Sequence, residues 1–411
     1  MRAFVFFAFL CLAGTSLGQV LDCTPFVWKG GSGIPAVSIA NAIGVAAFPA
    51  NGKMDVLRFS EGLGWAYDDT VTLEGGVEAE CGSTVAVTDR NGPETIVVGC
   101  PGASTGAGEV RIYCRGESGW QLATSIVPPS GDVGGFGCGV DIAVGSPNSK
   151  SQLKTLAVTS CDEDRLTGSL YVYNNQTDGG CGQEDWGLSF TYSGERGDGM
   201  GPVMDVSNAA TLVGVGRPGV GGGCVTVFGT NTSSSSWTLQ EEQCASGVGS
   251  FGNSFGLYGS TEEAGNPKNY EVGLFAGDAM RNVTFNYQNT TFNDLGVTYN
   301  TTLPVDPLVG TRGLVAGGAG AADHGFPRGC AVPVAAAVAP PGSGAAGVVM
   351  SYMYQDKWRN PYLLTSVIDG ADLPGVDGPT FGSTLAFSNG TALVGFNGGA
   401  VVWGTGIECN K

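Results

Sequence analysis

Residues 98–114 (VGCPGASTGAGEVRIYC) decide the fold, because their plan occurs twice more in the chain. Residues 213–229 (VGVGRPGVGGGCVTVFG) and 338–354 (VAPPGSGAAGVVMSYMY) have the same length and again place a Gly/Pro-rich loop between two apolar runs. Two short apolar runs that flank a glycine-containing loop are typical of a β-hairpin. We therefore predict an antiparallel hairpin at each of the three segments.

Signals before and after these hairpins extend the pattern to four strands. Upstream lies a residue pair that ends in glycine: Cys81-Gly82, Phe136-Gly137, Met200-Gly201, Phe251-Gly252 or Phe381-Gly382. Downstream, a further strand is often opened by a tryptophan: Trp65, Trp120, Trp186, Trp237 or Trp358. Because the tryptophans occupy one place in each unit, we interpret them as packing residues rather than as a ligand cage. Each unit thus has four short strands, called A to D in chain order.

The units repeat along the chain. Anchor glycines recur at intervals of 51 to 69 residues, and another unit begins near residues 36–46; the anchors are Gly82, Gly137, Gly201, Gly252, Gly313 and Gly382. A four-stranded blade cannot bury both faces alone, so this repeat predicts blades stacked around a channel. The predicted fold is an all-β, seven-bladed β-propeller of four-stranded antiparallel blades. We expect the N-terminal strand near residues 23–28 to close the short last blade, which makes residues 19–411 a single domain.

The motifs resemble a known repeat family. After a strand and a turn, the glycine pairs are followed by Val98-Gly99-Cys100-Pro101, Val213-Gly214-Val215-Gly216, Leu274-Phe275-Ala276-Gly277 and Val394-Gly395-Phe396-Asn397. This arrangement is similar to FG-GAP repeats, the blade unit of integrin α-chain propellers and of many secreted proteins and lectins. The resemblance covers nearly all of residues 19–411. It implies a secreted, stand-alone propeller that acts in extracellular recognition, with ligands often held on one rim.

The N-terminus and the net charge predict a secreted protein. Arg2, the apolar run at residues 3–13 and small residues at positions 16 and 18 are typical of a signal peptide over residues 1–18. The run is too short to span a bilayer, so we expect no membrane insertion. The formal net charge of −18 argues against nucleic acid as a partner. The sequons fit the cell surface or wall and predict glycosylation at Asn175, Asn231, Asn282, Asn289, Asn300 and Asn389.

Strand register assigns the disulfides. Because the start of one antiparallel strand lies opposite the end of the next, three pairs form within units: Cys81/Cys100, Cys138/Cys161 and Cys224/Cys244. Cys114 and Cys181 are expected to join neighbouring blades. Cys23 and Cys409 are expected to close the ring at the chain termini, which leaves Cys330 as the free thiol.

Acidic loop residues form the predicted ligand-binding face. In a propeller the B–C and D–A loops share one rim, and here those loops hold Asp132, Asp162, Glu163, Asp164, Glu195, Asp198, Asp369, Asp372 and Asp377. Such a rim suits cationic partners or loosely bound divalent ions. An alternative interpretation, to which we give equal weight, is that these residues are solvated loop acids with no partner.

Two further motifs are interpreted as structural. Asp89, Asn91 and Glu94 come near a Ca²⁺ loop, but the middle acid and the glycine of such a loop are missing, so we favour a polar hairpin turn over a metal site. Arg196-Gly197-Asp198 falls in the D–A turn of its unit, where a Gly-Asp pair also occurs in the preceding unit. A turn role is therefore favoured over integrin binding, and no cofactor is predicted.

The sequence favours a binding module over an enzyme. It has no Gly-x-Ser-x-Gly elbow and no P-loop, and Asp323-His324 is interpreted as a lone surface histidine beside an acid. We predict an extracellular recognition module for adhesion, cell-wall or matrix contact, or glycan binding, with an extracellular protein or a glycan as partner. The alternative is a secreted, carboxylate-dependent enzyme that acts on polysaccharide. An acid pair at the mouth of the central channel, within a cleft, would favour the enzyme.

Overall fold

The structure is a computed structural model that describes residues 25–75, 77–89, 93–129, 134–144, 154–162, 167–175, 186–207, 210, 212–220, 223–230, 236–244, 252, 256–259, 270–276, 279–288, 291–294, 299–302, 314–317, 334–337, 346–354, 362–388 and 391–404. Between residues 256 and 366 only the backbone is described, except at residues 346–349. The signal peptide predicted at residues 1–18 lies outside these ranges.

The described residues are almost entirely β-strand. The first strands are β1 (Phe26–Lys29), β2 (Ala36–Ala40), β3 (Ile43–Phe48), β4 (Lys53–Ser60), β5 (Gly64–Thr72), β6 (Thr84–Thr88), β7 (Thr95–Cys100), β8 (Glu109–Gly116), β9 (Gly119–Ile126), β10 (Gly139–Val144), β11 (Lys154–Asp162), β12 (Thr167–Asn175), β13 (Trp186–Ser193) and β14 (Met204–Val206). They are followed by β15 (Leu212–Arg217), β16 (Cys224–Thr230), β17 (Trp237–Cys244), β18 (Gly256–Gly259), β19 (Tyr270–Ala276), β20 (Ala279–Gln288), β21 (Thr291–Asp294), β22 (Tyr299–Thr302), β23 (Leu314–Gly317), β24 (Val334–Ala337), β25 (Val348–Tyr354), β26 (Tyr362–Asp369), β27 (Thr384–Ser388), β28 (Thr391–Phe396) and β29 (Gly399–Gly404).

Helical structure in the described part of the chain is confined to single 3₁₀ turns. These turns span Pro49–Asn51, Val77–Ala79, Ser104–Gly106, Gly370–Asp372 and Gly378–Thr380. Within the described ranges, no helix has the length and apolar character needed to cross a bilayer. The prediction of an all-β chain is confirmed.

Consecutive strands pair into antiparallel sheets, as the repeat predicts. We number the sheets in chain order: sheet 1 is β2–β5, sheet 2 is β6–β9, sheet 3 is β10–β13, sheet 4 is β14–β17, sheet 5 is β18–β22, sheet 6 is β23–β26 and sheet 7 is β27–β29 with β1. Sheet 5 carries an extra strand, because β22 also pairs with β20. In sheet 7, β1 pairs with β29 over Phe26–Lys29, so the N-terminal strand completes the last sheet.

The sheets pack face to face in chain order through their first strands. Strand β6 contacts β2 on one side and β10 on the other, β10 contacts β14, and β27 contacts both β23 and β2. The first strands are therefore the inner ones, and the fourth strands lie outside. Apolar clusters fill the spaces between neighbouring sheets, as between sheets 1 and 2, where Val45 and Val71 meet Val98 and Trp120. Four-stranded sheets packed in this way are the architecture of a β-propeller.

The packing of the sheets explains why the units carry a residue pair that ends in glycine. Phe136 and Phe381 are fully buried and fill the space between sheets. The glycine after each phenylalanine has a left-handed backbone, with φ of +92° at Gly137 and +86° at Gly382, a conformation that glycine adopts without steric cost. Its N–H donates to a strand of its own sheet, as from Gly382 to the carbonyl of Gly395 at 3.1 Å. The pair therefore forms a bend in which the phenylalanine fills the space between sheets and after which the next sheet begins.

The three disulfides predicted within units are present. Cα–Cα distances are 3.9 Å for Cys81/Cys100, 6.0 Å for Cys138/Cys161 and 4.1 Å for Cys224/Cys244. Cys114 is also disulfide-bonded, and its partner lies outside the described residues. The remaining predictions concern cysteines outside the described ranges, namely Cys23, Cys181, Cys330 and Cys409.

The glycosylation sites fall in different surroundings. Asn175 is only 3% exposed at the end of β12, so its side chain is not accessible to a glycan in the folded chain. Asn282 and Asn300 lie on the paired strands β20 and β22. The other three, Asn231, Asn289 and Asn389, lie outside the described residues.

Candidate functional site

The structure describes part of the acidic rim that the sequence predicts. Five of its acids have described side chains: Glu195, Asp198, Asp369, Asp372 and Asp377. They lie in, or next to, the two loops that join β13 to β14 and β26 to β27. For Asp162 only the backbone is described, and the other three, Asp132, Glu163 and Asp164, lie outside the described ranges.

Asp198 serves the fold rather than a ligand. It is 5% exposed, and its carboxylate accepts the backbone N–H of Glu195 at 2.7 Å and pairs with Arg217 at 2.8 Å. Arg217 also pairs with Glu242 across sheet 4. Because Asp198 is enclosed while Arg196 is exposed, Arg196-Gly197-Asp198 does not present both charges to a partner. The carboxylate of Asp198 therefore has protein partners, and a ligand contact by Asp198 stays a prediction.

Two further acids of the predicted rim stabilise the turns in which they lie. Asp369 accepts the backbone N–H of Ala371 at 2.8 Å, which caps the turn Gly370–Asp372. Asp377 accepts from the hydroxyl of Thr380 at 3.0 Å at the next turn. Short polar side chains commonly stabilise turns in this way. The exposed carboxylates of Glu195 and Asp372 remain as predicted ligand contacts on separate loops.

The two acids of the possible Ca²⁺ loop accept hydrogen bonds from protein groups. Asp89 accepts from the amide of Asn41 at 2.8 Å, and both oxygens of Glu94 accept from Arg58 at 2.8 and 2.7 Å. Asn91 lies outside the described residues. A carboxylate already paired with an arginine is a poor ligand for a hard cation, which agrees with a polar turn.

Sulfur and oxygen ligands for a metal come together at one place in the described chain. The group consists of Cys224, Glu242 and Cys244. Both cysteines form a disulfide with each other, so neither offers a thiolate. We assign no metal centre to it.

Within the described residues, a pocket between sheets 1 and 2 is a candidate binding site. Its volume is about 260 Å³, and it is lined by Asp69, Thr70, Val71, Thr72, Glu74, Tyr113, Trp120 and Leu122. The first five come from β5 and the chain just after it, and the others from β8 and β9. We call this cavity the sheet 1–2 pocket. Small-molecule pockets are typically about 300–1,000 Å³, so this one suits a single ring-sized group.

The sheet 1–2 pocket has an apolar floor and a polar mouth. Tyr113 and Trp120 are 3% and 8% exposed and pack in the apolar cluster between the two sheets. Thr72 and Glu74 are exposed at the opening. Burial raises the pKa of the Tyr113 phenol, with Arg111 opposing this effect and the carboxylates of Glu74 and Glu109 adding to it. The pocket therefore offers aromatic surface below and hydrogen-bonding groups above.

A carboxylate is available in the pocket, whereas the indole donor of Trp120 is enclosed. The Nε1–H of Trp120 is buried and has no hydrogen-bond partner in the described structure. Asp69 accepts the backbone N–H of Thr70 at 2.8 Å through one oxygen. Its other oxygen faces Gly119, where a Cβ would lie 3.3 Å away, so the absence of a side chain keeps this oxygen approachable.

The residue at the position of Asp69 differs between the later sheets. Four residues after the strand-opening tryptophan, Asp69 of β5 corresponds to Thr124 of β9, to Phe190 of β13 and to Glu241 of β17. In β13, Phe190 packs on Phe228 with ring centroids 5.1 Å apart, which fills that space with apolar side chains. The indole N–H groups of Trp186 and Trp237 also lack partners in the described structure. The unpartnered tryptophan N–H is therefore a feature of the repeat, and an acid at the position of Asp69 recurs in β17.

A carboxyl pair lies on two inner strands. Asp141 of β10 and Asp205 of β14 each follow the anchor glycine of their unit by four residues, and their side chains hydrogen-bond. Asp141 also accepts the backbone N–H of Val206 at 2.6 Å. Burial raises the pKa of Asp141, while the hydrogen bonds from Asp205, Val206 and Ile142 oppose the rise. Two carboxyl groups in contact need a shared proton, so Asp141 ties sheet 3 to sheet 4 best in its neutral form.

The Asp141→Asn variant should remove a pH dependence of stability. A raised folded-state pKa means that the folded chain holds the proton more tightly, so this group's contribution falls as pH rises from about 4 towards the folded pKa. Asparagine cannot ionise, but its NH2 group replaces one of the two oxygens that accept from the backbone N–H groups of Val206 and Ile142. We therefore expect the variant to lose stability relative to the native chain at pH 4, and this loss to become smaller at pH 7, where the native chain has lost part of the contribution of Asp141. Chemical unfolding at both pH values measures this.

The control for this variant is Asp372→Asn, which changes an exposed carboxylate on a loop. This variant should show the same dependence of the free energy of unfolding on pH as the native chain. If Asp141→Asn and Asp372→Asn give the same profile, Asp141 does not hold a shared proton in the folded chain.

Part of this site could be found in the sequence and part could not. Asp141 and Asp205 share a repeat position, so an alignment of the units on their glycines would have revealed the pair. Asp69 and Glu74 carry no motif, and they meet Tyr113 and Trp120 only through the packing of two sheets.

Comparison with known proteins gives only distant likenesses. No protein-family model and no curated protein matches the chain. Sqt1 from Chaetomium thermophilum is 14% identical with a TM-score of 0.46, covering 91% of this chain and 82% of that chain. A protein from Lactobacillus plantarum is 13% identical with a TM-score of 0.44, covering 83% and 86%. A mutant of the Aleuria aurantia lectin AAL in complex with Fucalpha1-6GlcNAc is 11% identical with a TM-score of 0.38, covering 68% and 79%. Likeness at this level carries no conclusion about function and assigns the chain to no family.

Proposed function

We propose that this chain is a secreted, extracellular glycan-recognition module whose ligand binds in the sheet 1–2 pocket. The observation that carries the proposal is the pocket itself, which is lined by the aromatic side chains of Tyr113 and Trp120 and by the carboxylates of Asp69 and Glu74. A sugar ring offers hydroxyls that donate to carboxylates, and its C–H faces pack on aromatic rings. The volume of about 260 Å³ suits one such ring.

The scaffold of this module is proposed to be a closed, seven-bladed propeller of the FG-GAP type, formed by residues 19–411 as one domain. Support comes from a contact that recurs between sheets. A threonine hydroxyl of one inner region donates to the bend that starts the next sheet, from Thr84 to the carbonyl of Gly137 at 2.9 Å and from Thr159 to that of Gly201 at 2.6 Å. Thr384 of sheet 7 donates likewise to Pro35, just before sheet 1, at 2.7 Å. The last sheet therefore meets the first as its neighbours meet each other.

An extracellular location is part of the proposal. Three disulfides within single sheets suit an oxidising compartment, because such bonds are rare where thiols are kept reduced. The signal peptide predicted at residues 1–18 agrees with that location. Secretion is tested by expressing the full chain in a eukaryotic host and identifying the N-terminus of the protein in the medium.

The carboxyl pair on the inner strands β10 and β14 does not support the enzyme alternative. Asp141 and Asp205 are in hydrogen-bond contact. Glycoside hydrolysis needs its two carboxyl groups about 5–5.5 Å apart for retention or 6.5–9.5 Å apart for inversion, and a contact pair meets neither requirement. The pair is better explained as a tie between sheets 3 and 4.

The proposed function is tested by filling the pocket. Leu122 lines the pocket on the face of β9 that carries Trp120 and is 43% exposed, so Leu122→Trp places an indole at the mouth without removing a buried group. Tryptophan is also favourable in β-strands. On a glycan array, we expect the native chain to bind a defined set of saccharides and the variant to lose at least about tenfold in affinity for them.

Ala66→Trp is the matched control for this experiment. Ala66 is exposed on β5, the strand across the pocket from Leu122, but does not line the pocket. This variant should bind as the native chain does. Equal binding by Leu122→Trp and Ala66→Trp, or no saccharide binding by the native chain, would overturn the proposal.

A further inference from the structure

We infer that the Cys224–Cys244 disulfide is a thiol-exchange site, which an external dithiol opens at the sulfur of Cys244 and whose opening loosens the end of β17. The bond joins β16 to β17, so it lies at the outer edge of sheet 4. It shares no residue with the sheet 1–2 pocket, and its exchange is independent of glycan binding there.

Exposure distinguishes this bond from the Cys81–Cys100 disulfide. Cys244 is exposed, although its partner Cys224 is fully buried. Cys81 and Cys100 are both fully buried. Exchange begins with the attack of a thiolate on a disulfide sulfur, so exposed disulfides are the labile ones. The sulfur that a thiolate can reach in the Cys224–Cys244 bond is therefore that of Cys244.

The Cys138–Cys161 disulfide is covered by the bend before sheet 4. Both residues are half-buried, and a Cβ on Gly201 would collide with the sulfur of Cys161 and lie 3.4 Å from that of Cys138. The backbone at Gly201 thus packs directly on this bond. The corresponding bend glycine after sheet 4, Gly252, makes its closest approach to the backbone carbonyl of Cys224. The sulfurs of Cys138 and Cys161 are therefore shielded by protein in a way that Cys244 is not.

The position of the bond in sheet 4 determines what its opening does. Cys224 is the first residue of β16, Cys244 is the last residue of β17, and the two are direct partners in the ladder. In the described structure β17 is the outer strand and pairs with β16 alone. The Arg217–Glu242 ion pair also ties this end of β17 to the sheet, but Glu242 is 41% exposed. Because exposed ion pairs stabilise little, opening the disulfide should loosen residues 241–244.

The reaction is a two-step exchange with a dithiol. One thiolate of the dithiol attacks the sulfur of Cys244 and forms a mixed disulfide, while the electron pair of the broken bond goes to Cys224 as a thiolate. The second thiol of the reagent, once deprotonated, attacks the reagent's own sulfur in the mixed disulfide and releases Cys244 as a thiolate. The dithiol is oxidised to a disulfide and the protein bond is reduced by the same two electrons. The two protons of the dithiol end on Cys224 and Cys244.

The order of reduction tests the inference on the full, secreted chain in its native state. The protein would be treated with dithiothreitol without denaturant for increasing times, alkylated with iodoacetamide and mapped by mass spectrometry. We expect Cys224 and Cys244 to be alkylated at least about tenfold faster than the cysteines of the other two described disulfides. Equal rates for the three bonds, or faster opening of Cys138–Cys161, would overturn the inference.

A monothiol identifies the sulfur that is attacked. With reduced glutathione, followed by an acid quench, the first product should carry glutathione on Cys244 and a thiol on Cys224. Glutathione found on Cys224 instead would contradict attack at the exposed sulfur.

Paired substitutions provide the matched control. The double variant Cys224→Ser with Cys244→Ser should lose the fast phase of reduction, and Cys138→Ser with Cys161→Ser should keep it. A fast phase that persists without Cys224 and Cys244 would assign the exchange to another bond. Labelling of the native chain decides the same question even where a variant does not fold.

Hydrogen exchange tests the loosening of β17. In protein held reduced by dithiothreitol, the amides of residues 241–244 should exchange faster than in the oxidised protein, while those of β15 should not change. Unchanged exchange at residues 241–244 in protein whose Cys224–Cys244 bond is open would show that the disulfide does not hold this end of the strand, against the inference.

Discussion

Trp28→Ala is expected to lower the free energy of unfolding by about 3 kcal/mol, the lower end of the range for removing a tryptophan, because Trp28 is half-buried. Trp28 lies in β1, whose backbone belongs to sheet 7, while its side chain reaches sheet 1. There it stacks on Tyr67 with ring centroids 4.8 Å apart. Its indole donates to Asp55 at 3.1 Å. One side chain thus joins the last sheet to the first.

Asp55 makes the loss larger than apolar area alone would give. It is fully buried and also accepts from Thr70 at 2.6 Å and pairs with Lys53 at 3.3 Å. Without the indole donor, this buried carboxylate loses one of its partners, which costs more than breaking a bond between exposed groups. The effect should therefore appear both in the stability of the chain and in the yield of secreted protein.

Two further variants serve as comparisons for Trp28→Ala. Trp28→Phe keeps the stacked ring and removes the N–H, so it isolates the contribution of the bond to Asp55. Leu63→Ala changes a side chain that is 85% exposed and should leave the unfolding midpoint in denaturant unchanged. If Trp28→Ala behaves like Leu63→Ala, β1 does not hold sheets 7 and 1 together.

The fold was predictable because its signals repeat. The bend glycines, the Gly/Pro-rich hairpin loops and the strand-opening tryptophans each recur in register, so a weak local pattern becomes a strong one when units are compared. The same register placed Cys224 directly opposite Cys244, and the structure pairs these residues as Cα partners. Prediction succeeded where the information lay within one unit or in the spacing between units.

The partners of the loop acids could not be predicted from the sequence, for a physical reason. Acids in loops look alike in sequence, yet Asp198 pairs with Arg217, and Asp369 and Asp377 accept hydrogen bonds in their own turns. The role of an acid depends on the donor that packing brings to it, and for Asp198 that donor lies on β15. The sheet 1–2 pocket shows the same limit, because its aromatic floor and its carboxylates belong to different sheets.

The second large effect on stability is expected from a substitution at Gly99, the glycine of the hairpin motif. Gly99 lies in β7 at the place where sheet 2 meets sheet 3, and a Cβ there would collide with the carbonyl oxygen of Gly137 and with the hydroxyl of Thr84. The carbonyl is backbone and cannot turn away as a flexible side chain could. Gly216 has the same relation to the carbonyl of Gly252. The glycine is therefore required by close approach between units, which explains its recurrence in the motif.

Gly99→Ala is expected to lower the free energy of unfolding by about 2–3 kcal/mol, the upper part of the range for overpacking, because the bend at Gly137 must move and its bond from Thr84 at 2.9 Å is lost with it. Gly116→Ala is the control within the same sheet, since a Cβ there meets only the carbonyl of Gly119 at 3.9 Å. Chemical unfolding of both variants measures the difference. A change at Gly99 no larger than at Gly116 would show that sheets 2 and 3 are not in the close contact from which the repeat motif derives.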